Sequence, residues 1–284
     1  MKVCVVGLGL LGGSFALALR NRFDDLKITG VDINENHCTK ALELKIADEI
    51  KPFHEAIPAA DLVILATPVN VMLKQLPETL ELIDQSVVMD LGSTKSKLGK
   101  SVANHPRRSR YVAAHPIAGT ENSGPESAFA SLIKNKHMIL CDRTLSDPDA
   151  YQLVEKISRQ LEMRVSHMNS EEHDRHIAYV SHLSHISSFA LGSTVLDKEK
   201  DEKSIFAMAG SGFSSTVRLA KSSSRMWAPI FTQNQDNVLN ALDAYINKLQ
   251  YFREIIANGD ENNSSRLMDD ANDIRRILSG IDNS

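Results

Sequence analysis

Val3-Cys4-Val5-Val6-Gly7-Leu8-Gly9-Leu10-Leu11-Gly12-Gly13-Ser14 governs how the rest of the chain reads. Four strand-favouring apolar residues run into Gly-x-Gly-x-x-Gly, and the segment from about Leu10 to Arg20 then reads as a helix. In a strand–turn–helix of this kind Gly7 allows the tight turn, Gly9 lets a pyrophosphate approach the backbone, and Gly12 lets helix and strand pack closely. Phosphate charge then meets the positive end of the helix. Leu8, Leu10 and Leu11 complete the loop as cofactor-side residues. Asp32 ends the next apolar run, 20 residues beyond Gly12, where a carboxylate would accept hydrogen bonds from an adenosine ribose. A 2′-phosphate about 5 Å from that carboxylate would meet roughly 3 kcal/mol of repulsion per unit charge at an effective dielectric near 20. No Arg follows in Ile33-Asn34-Glu35, so the expected cofactor is NAD rather than NADP.

Outward from this start, β-rich runs alternate with helical ones to about residue 168. They are Lys27–Val31, Leu62–Leu65, Val87–Met89, Tyr111–Ala113, Met138–Leu140 and Met163–Val165. Continuous apolar strands separated by helices predict a Rossmann-type, doubly wound parallel sheet over residues 1–168. After 169 the strand signal stops, which predicts an all-α second domain over 169–284. There Asn169 or Ser170 caps a helix running to about Val195. Pro229 to Ala257, with apolar residues at Leu239, Leu242, Ile246, Leu249, Phe252 and Ile256, reads as one helix of roughly 29 residues and about 43 Å. A helix that long can serve its own domain on one side and a second subunit on the other. Asn258 to Ser265 reads as a loop, followed by a terminal helix containing Ile274, Ile277 and Leu278.

The 284 residues carry 32 Lys and Arg against 36 Asp and Glu, for a net charge of −4, with 42% apolar residues. That is an ordinary globular balance. Without a clustered basic run there is no electrostatic footprint for nucleic acid or an anionic membrane surface, and small molecules are the expected partners. Three cysteines in no metal-ligand spacing fit a reducing, cytoplasmic setting. The uncharged stretch Val3–Leu19 looks like a leader segment at first sight, but Gly7, Gly9, Gly12 and Gly13 interrupt the apolar helix a leader would need. No other apolar run approaches the ~20 residues of a membrane span.

Chemistry-bearing side chains fall at strand ends. His115 follows the Tyr111–Ala114 run and should face the ligand cleft of an open parallel sheet, where a neutral imidazole can take a hydroxyl proton as hydride leaves. A strand-end histidine capping backbone groups is the plainer alternative. Ser93, in Asp90-Leu91-Gly92-Ser93-Thr94-Lys95, ends another strand on that edge and could bond substrate, cofactor or His115, or serve only the turn. Thr67, past Leu62–Leu65, joins the cofactor-side candidates. His173, His176, His182 and His185 invite a metal reading. At about 100° per residue they fall near 0°, 300°, 180° and 120°, so they do not converge and no metal is expected. His182 and His185, within about 60° of each other, could line the wall opposite the nicotinamide. Arg218, with Lys221 and Arg225, adds positive charge suited to a carboxylate, although a solvated basic face is the commoner fate of such residues.

Gly7 to Ser14, Gly92-Ser93-Thr94-Lys95, His115-Pro116-Ile117-Ala118-Gly119-Thr120-Glu121 and Ser181-His182-Leu183-Ser184-His185 together resemble the prephenate/arogenate dehydrogenase family, with His173-Asp174 and Arg218 at similar spacing. The resemblance spans most of the chain. It implies NAD-dependent oxidative decarboxylation of prephenate to 4-hydroxyphenylpyruvate on the route to tyrosine, in a homodimer built through the helical domain. By position, His115 would polarise the ring C4 hydroxyl with Ser93 assisting. Arg218, His185, His182 and Ser181 would hold substrate carboxylates or organise the pocket, with Thr120 near the side chain. Ser215 stands where many relatives are expected to carry an aspartate, which puts a gating ion pair through that position in doubt. Arogenate is the alternative substrate. A 3-hydroxyacid dehydrogenase of similar architecture would use a lysine on the first helix of the second domain, and Ser170–Val195 has none. A non-catalytic NAD sensor need not keep His115, Ser93 and Arg218 together.

Overall fold

The structure, a computed structural model, describes residues 1–202 and 204–282. Its sheet has eight strands: β1 (Lys2–Val6), β2 (Lys27–Val31), β3 (Glu49–Ile50), β4 (Leu62–Leu65), β5 (Val87–Asp90), β6 (Tyr111–Pro116), β7 (His137–Cys141) and β8 (Arg164–Met168). They lie in the order β3-β2-β1-β4-β5-β6-β7-β8. The order reverses at β1, which pairs with β2 on one side and β4 on the other, and this opens a crevice beyond the carboxyl ends of β1 and β4. Successive residues of β1 feed opposite faces. Val3 and Val5 join a core with Phe15 and Leu19 of the first helix and Tyr151 and Val154 of the helix Pro148–Gln160. Cys4 and Val6 join the other core, with Met72, Leu76 and Leu80 of the helix Val69–Leu82. Burial on both faces is why these strands are apolar without alternation.

The expectation of a parallel sheet holds from β3 through β6 and fails beyond it. β7 pairs antiparallel with β6, and β8 runs parallel to β7. The cause is the connection: residues 117–136 contain two short 3-10 turns and no α-helix, so the chain turns back beside β6 instead of crossing over the sheet. Two-residue β3, at the far edge, was too short to announce itself in the sequence. All three cysteines are free thiols.

After β8, Asn169 caps the next helix by accepting from the Glu172 N–H at 2.7 Å. The single helix expected to Val195 is three pieces: Ser170–Ile177, a π-helical turn at Ala178–His182, and Leu183–Glu199. The π turn changes the angular advance per residue, so the helical-wheel angles of the four histidines do not carry across it. Pro229 does not start a 29-residue helix either. It lies inside the helix Ser224–Gln233, and the chain breaks at Asn234 (φ −103°, ψ 30°) before the helix Gln235–Ala257. At this break the Asn234 side-chain amide donates to the Asp174 carbonyl at 2.6 Å, a tertiary bond across 60 residues. Gly259, at φ +64°, ends the long helix. The following polar stretch is helical from Glu261 rather than a loop, because Asp260 caps it by accepting from Asn263.

By spatial compactness the chain groups into Met1–Gln235 and Asp236–Ser284. The first unit includes helices of the region after 169: Trp227 and Ile230 pack on Val69 at the start of Val69–Leu82. In the second unit Leu239, Ile246, Leu249, Ile256, Met268, Ile274, Ile277 and Leu278 are exposed. No helix among the described residues is long and apolar enough to cross a membrane.

Candidate active site

The glycine turn has the geometry a dinucleotide needs. Gly7 is at φ +97°, and a Cβ there would come 2.7 Å from the Ala66 carbonyl oxygen. A Cβ on Gly12 would collide with the Gly7 carbonyl. At Gly9 a Cβ would meet no protein atom within 4 Å, so the fold itself does not require glycine there; its absent side chain keeps the backbone approachable. The helix Leu10–Arg22 has no side-chain cap and no acidic residue in its first turn, leaving its first N–H groups for an anion. Asp32 lies where the sequence put it, just past β2. Its carboxylate ties the site together, accepting from Leu8 N at 2.8 Å and Asn34 N at 2.9 Å. His37, which the sequence reading passed over, stands 3.3 Å from the same carboxylate. Thr67 donates to Gln75 at 2.7 Å at the head of the next helix. These residues fit an NAD-type dinucleotide.

His115 lies one residue before the end of β6, within the strand rather than beyond it, paired with Ile139. It is 8% exposed. Beneath it is a buried polar knot. Asp90 accepts from the Tyr111 hydroxyl at 2.7 Å, from Ala114 N at 3.1 Å, from Gly92 N at 2.9 Å and from the Lys95 ammonium. Lys95 also donates to the Ala114 carbonyl at 2.7 Å, so Ala114, the residue before His115, is held at both its own N–H and its own C=O. Nδ1 of His115 lies 2.8 Å from Nε2 of His173, and Nδ1 of His173 lies 2.8 Å from Oδ1 of Asp174. Asp174 in turn accepts from Lys95 N and Ser96 N, both at 2.8 Å. Burial first, and then the nearby His173, Lys95 and His182, which disfavour a further positive charge, hold the His115 imidazole well below the ordinary histidine range. Asp174 stays low despite its burial, because His173 and the two backbone N–H groups bond its charged form.

Ser93 is half-buried on the loop after β5 and makes no hydrogen bond to His115. The structure brings His182 and His185 together on Trp227: His185 stacks on the indole at 3.5 Å between centroids, and His182 meets its edge at 5.9 Å. His182 is fully buried, and burial pushes its pKa down to about 4. Nδ1 of His185 sits 3.0 Å from the Ser181 carbonyl, a bond in which the ring must donate. Arg218 is exposed and lies 3.3 Å from Glu121, a partner 97 residues away on the β6–β7 connection that no sequence spacing could reveal. Thr120, next to Glu121, accepts from Asn122 N at 3.2 Å. His176 is exposed, and among the described residues no group of three His, Cys, Asp or Glu side chains is placed to hold a metal ion. Three buried nitrogens, His182 Nε2, Trp227 Nε1 and Gln233 Nε2, have no partner among the described residues.

Residues 15–167 match the family model for the prephenate dehydrogenase nucleotide-binding domain, and residues 169–270 match the prephenate dehydrogenase dimerization domain. A crystal structure of prephenate dehydrogenase from A. aeolicus, in complex with hydroxyphenyl propionate and NAD+, superimposes with a TM-score of 0.90 at 32% identity, covering 98% of each chain. Prephenate dehydrogenase of Bacillus subtilis (strain 168) is 30% identical over 96% of this chain and 75% of its own length. Cyclohexadienyl dehydrogenase of Zymomonas mobilis is 30% identical over 91% of this chain and 89% of its own.

Proposed function

The chain belongs to the prephenate dehydrogenase family, whose members are NAD-dependent oxidoreductases, and from that premise we propose that it oxidises and decarboxylates prephenate to 4-hydroxyphenylpyruvate. The observation that carries the reading is His115: a buried imidazole kept neutral at pH 7, at the same edge of the sheet as the Gly7 turn and the Asp90–Lys95 loop. Bound NAD supplies the hydride acceptor. His115 accepts the proton of the C4 hydroxyl as hydride leaves C4. Loss of the ring carboxylate as CO2 returns an electron pair to the ring, and the oxygen regains its proton as a phenol. Keeping the imidazole unprotonated is the contribution of its burial, since a protonated ring has no lone pair for that hydroxyl.

Arg218 is the group proposed for a substrate carboxylate, exchanging Glu121 for the ligand, with Ser181 and Thr120 beside it and Ser93 near the reacting hydroxyl. His185 has a narrower role than simple carboxylate capture. With Nδ1 donating to Ser181, its neutral Nε2 accepts hydrogen bonds, so it meets a carboxylate only after taking up a proton. The unpaired nitrogens of His182, Trp227 and Gln233 favour an acceptor oxygen nearby, because a buried donor left unmade costs about 1–3 kcal/mol. In this reading residues 1–168 hold the cofactor and 169–284 hold substrate and a second copy of the chain. The exposed apolar residues of the helices after Gln235 support a homodimer, and the free cysteines a cytoplasmic setting.

Steady-state assays of prephenate and arogenate, each with NAD and NADP, test this reading. Prephenate with NAD is expected to give the highest kcat/KM. A preference for arogenate corrects the substrate, NADP matching NAD removes the ribose role of Asp32, and no turnover with either substrate overturns the proposal. Sedimentation at micromolar concentration is expected to give a dimer.

A further inference from the structure

Two side chains of the first unit, His173, which touches His115, and Asp174, which touches His173, belong neither to the glycine turn nor to the carboxylate side of the cleft. Both are 2% exposed, and together they form a chain that begins on a carboxylate and ends on His115. Asp174 is ionised: it accepts from two backbone N–H groups, and its pKa is held low. A carboxylate can only accept, so the proton between it and His173 sits on Nδ1 of His173. A neutral His173 then presents a bare Nε2, and the 2.8 Å contact to His115 requires a proton on Nδ1 of His115. The remaining nitrogen of His115, Nε2, is left with a free lone pair.

We propose that His173 and Asp174 are positioning residues that select the Nδ1–H tautomer of His115, making Nε2 the proton acceptor of the reaction. The proposal rests on the dehydrogenase reading of the site and adds to it the origin of the base's protonation state. Without the chain, an isolated imidazole divides between tautomers, and the Nε2–H form donates where the hydroxyl needs an acceptor. The arrangement also stabilises the imidazolium that forms once Nε2 has taken the proton. Its Nδ1–H then points at an acceptor backed by a carboxylate, with no bond to be made or moved at that moment. The geometry further ties the base to the loop carrying Ser93, because the same Asp174 oxygens bond Lys95 N and Ser96 N. Asn234, bonded to the Asp174 carbonyl, holds the other end.

Two measurements test this. In the free full-length protein labelled with 15N-histidine, side-chain spectra at pH 7.5 should show both His115 and His173 protonated at Nδ1 and bare at Nε2. Finding His115 protonated at Nε2 overturns the proposal, and this reading needs no substrate, so it stands apart from the identity of the reaction. In the second, His173→Leu removes the acceptor, while His173→Gln keeps an amide oxygen that can receive the Nδ1–H. Loss of tautomer control lowers kcat by roughly 10²–10⁴-fold where a histidine base depends on it. We expect a fall in that range for the Leu variant, KM for prephenate within about threefold, unchanged NAD affinity, and recovery of at least tenfold in kcat with Gln. Equal kcat in the Leu and Gln variants, or a Leu variant as active as wild type, overturns it. Should the wild-type protein fail to turn over prephenate, the substrate reading falls while the spectra still decide the tautomer.

Discussion

The two sides of the cleft are built on opposite principles. On the strand side, Asp90, Lys95, Tyr111, His115, His173 and Asp174 are all buried, and each holds hydrogen bonds that leave little choice of position. On the helical side, Arg218 keeps 54% of its side chain exposed and its partner Glu121 keeps 32%, at 3.3 Å. A dry site stabilises one protonation state and one geometry, since reorienting a buried charge is costly. A wet site leaves a charged side chain free to exchange partners, because an exposed ion pair contributes only about 0–1 kcal/mol. Proton transfer needs the first, and binding and releasing an anion needs the second.

That contrast breaks most visibly at His115. His115→Asn should lower kcat by about 10²–10⁴-fold with little change in KM, the usual share of a positioned acid–base group. The wild-type kcat should keep its acid limb below the ordinary histidine range, because burial disfavours protonation. A variant that keeps most of its kcat would reduce His115 to a strand-end residue. Lys95→Met should destabilise the fold by roughly 3–5 kcal/mol by removing the only cation bonded to the buried Asp90 among the described residues. Urea unfolding of this variant and of the Lys95→Met/Asp90→Asn double variant checks it, with the double variant expected to recover part of the loss.

Acid should loosen the dry region before the wet one. Burial holds His182 at a folded pKa of about 4 against the ordinary histidine value of 6.5, so the unfolded chain binds this proton more readily. Its contribution is therefore complete above about pH 7 and lost as pH falls through 6.5 toward 4, up to about 3 kcal/mol. Unfolding midpoints between pH 7.5 and 4.5 should fall more steeply for wild type than for His182→Gln; parallel slopes would assign the acid sensitivity elsewhere. On the wet side, Arg218→Ala should raise KM for prephenate by an amount worth roughly 1.5–3 kcal/mol, the value of a hydrogen bond to a charged group, with a smaller effect on kcat. Glu121→Gln should be the mildest, under about 1 kcal/mol on either parameter. If Glu121→Gln costs as much as Arg218→Ala, the helical side is as rigid as the strand side and the contrast fails.

The amino-acid order by itself determined the elements whose physics is local. Apolar runs ending in Gly7-Leu8-Gly9-Leu10-Leu11-Gly12 specify a buried strand and an approachable turn, and Asn169 and Gly259 mark helix ends through their own side chain or φ angle. His115 was legible as a candidate because strand ends on an open sheet face the cleft. Tertiary structure alone decided what depends on distant partners. β7 runs antiparallel because its connection has no helix, and at the break at Asn234 the side-chain amide finds a carbonyl 60 residues away. His173 reads in sequence as a member of a non-converging histidine set, yet it meets His115 across 58 residues. The π turn at Ala178–His182 defeated the wheel on which His182 and His185 had been placed, although both still reach Trp227. Periodicity reports which side of an element is buried. What a buried polar group bonds to is set by the elements packed against it, and here those bonds govern the protonation of His115.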